Sequence, residues 1–169
     1  MEEIINRVKK SPLISIDLEA FLHKGERVIF DLKDLLFQGM ILKEEDLRRF
    51  IRTNDWSHYR DKNVGLVCSA DAIVPTWAYM LLAVKIKEYA NMVTSGNEAE
   101  IEKALIDQAI EKCLNSQDFL DRKVVIKGCG NIRNAAYAHT RITEKLFSKV
   151  SSLMYGEPCS TVPIFKRKK

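Results

Sequence analysis

Three cysteines stand at the ends of apolar runs. Cys68 closes residues 64–67 (VGLV), Cys129 follows residues 123–128 (KVVIKG), and Cys159 comes after a further apolar run in YGEPCS. Soft thiolate ligands select zinc, copper(I) or an iron–sulfur cluster. Three protein ligands with a fourth position left to Asp71, water or substrate is the arrangement of a catalytic zinc site. A pair of these thiols could instead cycle through a disulfide, with helix N-termini favouring the thiolate. The third reading is packing, since cysteine is a small hydrophobe that suits strand ends. There is no CxxC pair, and separations of 61 and 30 residues match no compact metal motif. The fourth cysteine differs. Cys113 recurs with Ile101, Leu105 and Ala109 every four residues, which assigns it to an apolar helix stripe in the core.

Polar groups accompany the thiols. The segment CSADAIVPTW sets Ser69 and Asp71 beside Cys68 in a strand-to-helix loop. Asp71 could orient a ligand, act as a base, or cap a turn, a position aspartate favours. The loop Gly128-Cys129-Gly130-Asn131 is permissive, and its amides could face an anion ahead of a helix. Ser160 and Thr161 add hydroxyls after Cys159. The ligand-binding candidates are therefore Ser69, Asp71 and Ser160, and the metal candidates are Cys68, Cys129 and Cys159. His139 falls at least one turn inside its helix, and His23 and His58 sit in polar loops.

Strands and helices decide whether these groups can meet. The first third reads as an antiparallel lead-in: a strand over 13–17, then a hairpin of 28–31 with 35–41 turning near Lys33 and Asp34. A helix with Leu47, Phe50 and Ile51 on one face follows and stops at Asn54. From residue 64 the pattern alternates. The spacing predicts a strand at 64–67 and a helix from Pro75 to about Ala90. A short strand at 92–94 precedes a helix opened by Asn97, with Glu100 completing a capping box. A strand at 123–127, a helix opened by Asn134 and a last strand at 150–155 complete the alternation. The expected fold is α/β: one three-layer domain over 1–169 with an antiparallel N-terminal hairpin and a mostly parallel sheet covered by helices on both faces. Right-handed crossovers then place Cys68, Cys129 and Cys159 along one carboxyl edge, where open α/β sheets bind ligands. Strands 64–67, 123–127 and 150–154 are expected to be parallel in that single sheet.

The helix after Pro75 departs from a surface pattern, because WAYMLLAVKI is apolar nearly all round. Such a helix is central in the fold or forms a subunit interface. A homo-oligomer follows from the second case, and with it a reading from another class: a non-catalytic interaction protein whose cysteines are structural.

The 169 residues are 46% hydrophobic and 30% charged, which excludes a disordered or disulfide-dependent chain. The net charge of +4 equals that of Lys166, Arg167, Lys168 and Lys169 alone. A nucleic-acid binder spreads such charge over one face, so none is expected as partner, and residues 166–169 read as a solvated basic tail. No apolar run is long enough to span a bilayer, and MEEIINRVKK lacks the core of a secretory signal. The expected place is the cytoplasm, the expected partner a small-molecule ligand or a second copy, and the expected cofactor zinc or an iron–sulfur cluster if one is held.

The stretches VCSADAIVPTWAYMLL, VVIKGC and MYGEPCSTVP, with EIINRV and DLKDLLFQG, resemble an uncharacterised family of bacterial proteins known as a domain of unknown function. The resemblance covers almost the whole chain and implies a small cytoplasmic bacterial protein. It brings no activity and no catalytic residues.

Overall fold

A computed structural model describes residues 13–128, 130–157 and 159–168. Among them are four α-helices and two sheets, mostly parallel, so the α/β class holds. The strands, however, divide between a sheet ordered β1-β5-β6-β7 and a sheet ordered β2-β3-β4. The chain correspondingly forms two compact units, one of Lys24–Leu105 and one of residues 13–23 and 106–168.

The Lys24–Leu105 unit is built on β2 (Arg27–Asp31), β3 (Asn63–Val67) and β4 (Met92–Ser95), all parallel. Asn63 to Leu66 of β3 are buried without a break, as expected of a central strand covered on both faces. Gly65 is required there. A Cβ on it would lie 2.4 Å from the Gly96 carbonyl oxygen. Asn63 is fully buried and satisfied: its amide donates to the Gly25 carbonyl at 2.8 Å and its oxygen accepts from Asn91 at 2.7 Å. The helices α1 (Glu44–Thr53) and α2 (Thr76–Lys87) belong to this unit. Its core holds Leu32, Leu47, Val64, Leu82 and Ile86, with Phe30, Trp56 and Tyr59 in ring contact.

The other unit pairs β1 (Leu13–Ile16) with β5 (Lys123–Ile126) and β5 with β6 (Ser152–Glu157), all parallel. An antiparallel edge strand, β7 (Ser160–Lys166), completes it. Helix α4 (Ala135–Leu146) buries Ala138, Ile142 and Leu146, one residue per turn. Asn134 caps it, its side chain accepting from the Tyr137 amide. Helix α3 (Glu98–Ser116) starts with the expected capping box. The Asn97 side chain accepts from the Ala99 amide at 2.8 Å and Glu100 accepts from the Asn97 amide at 3.1 Å. Ile106, Ile110 and Cys113 of α3 join Leu153, Val124 and Ile142 in this unit's core.

Three expectations need correction. The strand at 64–67 does not share a sheet with 123–127 and 150–154, because β3 pairs with β2 and β4. The described residues of the first third do not form the expected antiparallel hairpin of 28–31 with 35–41. Residues 32–35 form a 3-10 turn, and an antiparallel bridge Phe37–Ile41 closes around Gln38 and Gly39, both at positive φ. Two left-handed residues in succession make a tight primed turn, which ends an apolar run that looked like a strand. The antiparallel hairpin lies instead at the other end of the chain, as β6–β7. Lys166 is the last residue of β7, and the Arg167 amide donates to the Ser151 carbonyl at 2.9 Å, so this basic stretch is tied to the sheet. No helix among the described residues is long and apolar enough to cross a membrane.

Candidate functional site

The carboxyl ends of β2 and β3 bring Asp31 and Ser69 together. The Asp31 carboxylate accepts from the Ser69 amide at 3.0 Å, the Ser69 hydroxyl at 2.5 Å and the Lys33 amide at 3.0 Å. The Lys33 ammonium lies 3.5 Å away. The Ser69 hydroxyl is the largest cause holding the Asp31 carboxyl down to about 2. A carboxylate this acidic is a poor proton acceptor, and its lone pairs are occupied. Asp31 and Ser69 are thus a clamp between strand ends and not a base with its nucleophile. Asp31 escaped the sequence reading, although an aspartate two residues before a lysine amide at a strand end is the pattern of a side-chain-capped turn.

Cys68, one residue before Ser69, is half-buried against this unit's core, and its thiol donates to the Ala70 carbonyl at 3.8 Å. The phenol of Tyr79 on α2 is pushed above its ordinary range by burial and by the nearby Cys68 and Asp31. Asp71 is exposed. In the other unit, Cys159 is exposed between β6 and β7, next to exposed Ser160. Cys129 lies outside the described residues. The premise that placed the three thiols together, one sheet with one carboxyl edge, does not hold: Cys68 follows a strand of one sheet and Cys159 a strand of the other. Among the described residues, no group of three or more His, Cys, Asp or Glu could hold a metal ion. Cys113 is buried as expected, and burial pushes its thiol up to about 11.

The loop after β5 also meets an anion of its own chain. The Asn131 amide donates to the Glu19 carboxylate at 3.0 Å, and Gly130 packs against that side chain. The His139 ring is within 2.7 Å of the Ala135 carbonyl oxygen and 3.3 Å of that of Lys127, with Tyr155 edge-on to it. Glu19 therefore occupies the amide expected to face a ligand.

The remaining feature is a surface. Helix α2 buries Ala78, Leu82 and Ile86, each four residues apart. Met80 and Val84, also four apart, project elsewhere and are 64% and 70% exposed. They line a groove with Trp77, Leu81, Glu44 and Arg48. Ile73, just before α2, is 91% exposed and bridges to Ile41, itself 59% exposed. The apolarity of α2 on every side thus resolves into one buried face and one open one.

In class, this is an α/β protein of two mostly parallel sheets whose strand ends are closed by its own side chains. The chain belongs to the family described as "Protein of unknown function (DUF2480)", whose model matches residues 2–167. It has no match among the curated proteins and none among the solved structures.

Proposed function

We propose that the protein is an interaction protein that self-associates through the open face of α2, its cysteines being structural. The observation that supports this is the exposure of Met80, Val84, Ile73 and Ile41 on one unit. Apolar side chains exposed side by side, as Met80 and Val84 are along one groove, mark a surface that is covered in use. A second copy suits the groove because its rim complements itself. Helix α1 carries Glu44, Glu45 and Asp46 at its start, and Arg48, Arg49 and Arg52 further along. A two-fold axis that runs α1 antiparallel to its copy sets each acidic end against a basic one. Burying Met80 and Val84 contributes about 1.5–3 kcal/mol for each side chain.

Light scattering on the full chain tests the reading. The expected mass is twice the 19.4 kDa of one chain at micromolar concentration. Val84→Glu should return the mass to that of a monomer, and Arg52→Glu should weaken association while leaving it measurable. A wild-type monomer, or a dimer untouched by Val84→Glu, would overturn the proposal.

A further inference from the structure

A cavity stands apart from every site described above. It measures about 690 Å³ and opens at the amino end of β5, beside the β6–β7 hairpin. Its walls differ in character. Met154 and Pro163 supply apolar side chains, while Lys123, Lys166 and Lys168 make it basic. Register explains how two of them meet. Lys123 pairs with Ser152, and Ser152 pairs with Lys166. Residues in one cross-strand row share a face, so the two lysines flank the Ser152 hydroxyl at about 5 Å per strand spacing. Met154 stands two residues along β6 on that same face, opposite Pro163.

The fourth cation of the cavity is already committed. The Arg167 guanidinium donates to the Asp121 carboxylate and to the Ser148 and Lys149 carbonyls. That leaves Asp121 neutralised. No ion pair to a described carboxylate engages Lys123, Lys166 or Lys168. A concave apolar floor beneath cations that no described carboxylate pairs calls for a ligand with one part of each kind. The volume is that of a small-molecule site. A bare inorganic anion would leave the floor wet, and a polynucleotide needs a basic track along the surface rather than an apolar hollow.

The geometry points to this cavity as a binding site for a small amphiphilic carboxylate, with its chain over Met154 and Pro163 and its head between Lys123 and Lys166. It assigns a role to the basic end of the chain, where Lys166 is held in β7. It does not depend on self-association, since every residue named lies in the unit that lacks α2.

Calorimetric titration of the full chain with dodecanoate, kept below its micelle concentration, tests the inference. One saturable site per chain is expected. Lys123→Ala and Lys166→Ala should each weaken it about tenfold, the loss of one charge-assisted contact. Lys103→Ala, on α3 outside the cavity, should leave it unchanged. Methyl dodecanoate, which keeps the chain and lacks the charge, should bind at least about tenfold more weakly on the same grounds. No saturable binding, equal binding of the ester, or indifference to both lysine changes overturns the inference. So does tighter binding of a single-stranded oligonucleotide, or of phosphatidylserine vesicles with no competition from dodecanoate. These readouts do not follow oligomeric state, so a failure here is distinct from a failure of the α2 interface.

Discussion

In the three-stranded sheet, β2, β3 and β4 follow one another both in the chain and in space. The four-stranded sheet takes β1 from residues 13–16 and its neighbour β5 from residues 123–126. Between them the chain builds the whole of the other unit. The entropic cost of closing so long a segment grows slowly, by about 0.6 kcal/mol per doubling of length, so the insertion is tolerable. The two units also differ in where backbone meets backbone. In the β2-β3-β4 unit, Gly65 faces a carbonyl oxygen at a distance no side chain can relieve. In the other unit a Cβ on Gly156 would also meet backbone, the Ser160 carbonyl oxygen at 2.6 Å, but at the end of the β6–β7 hairpin, while one on Gly128 would meet only the Tyr155 side chain, its hydroxyl at 2.6 Å. The lesson is that the locally wound sheet has the less forgiving centre.

The largest expected effect tests that contrast directly. Gly65→Val should destabilise the Lys24–Leu105 unit by about 3 kcal/mol, because the Gly96 backbone must move. Both tryptophans, Trp56 and Trp77, belong to this unit, so the urea midpoint followed by tryptophan fluorescence reports it. Gly128→Ala should cost only about 1 kcal/mol, since the Tyr155 ring can rotate away. Hydrogen exchange in β5 and β6 is the measurement for that variant. Equal costs at the two glycines would end the contrast.

Much of this was legible in the residues. The strands at 64–67 and 123–127 show in their β-branched runs, the capping box at Asn97 and Glu100 sets the start of α3, and Cys113 shows its burial by periodicity. Sheet membership was not legible. The crossover rule relates strands that already share a sheet, and nothing in the composition of β3 says whether it pairs with β2 and β4 or with β5. The grouping of Cys68 with Cys159 rested on that step. Strand β7 was hidden for a different reason. Pro163 lies inside it, which is tolerated because β7 pairs with β6 alone at the sheet edge. The pairing of Asp31 with Ser69 needed the register Asp31–Val67, which no local pattern supplies.

The smallest effects are pH dependences, and they have opposite signs in the two units. Burial raises the Cys113 thiol from an ordinary 9 to about 11. Its neutral form is favoured in the folded state, so this contribution is complete below pH 9 and is lost as the pH rises through 11. Asp31 is shifted the other way, from 3.8 to about 2, chiefly by the Ser69 hydroxyl. Its ionised form is favoured in the folded state, so this contribution is complete above pH 3.8 and is lost as the pH falls through 2. Stability curves measured by urea titration across pH should show both losses. Cys113→Ala should flatten the alkaline slope and leave the acid one. Asp31→Asn keeps an acceptor for the Ser69 and Lys33 amides but cannot ionise, so it should flatten the acid slope between pH 4 and pH 2 and leave the alkaline one. Ser69→Ala removes the hydroxyl alone and should reduce the acid slope without abolishing it, because the Ser69 and Lys33 amides still hold the carboxylate. An acid slope unchanged in Asp31→Asn would show that the clamp between β2 and β3 does not govern how this unit meets low pH.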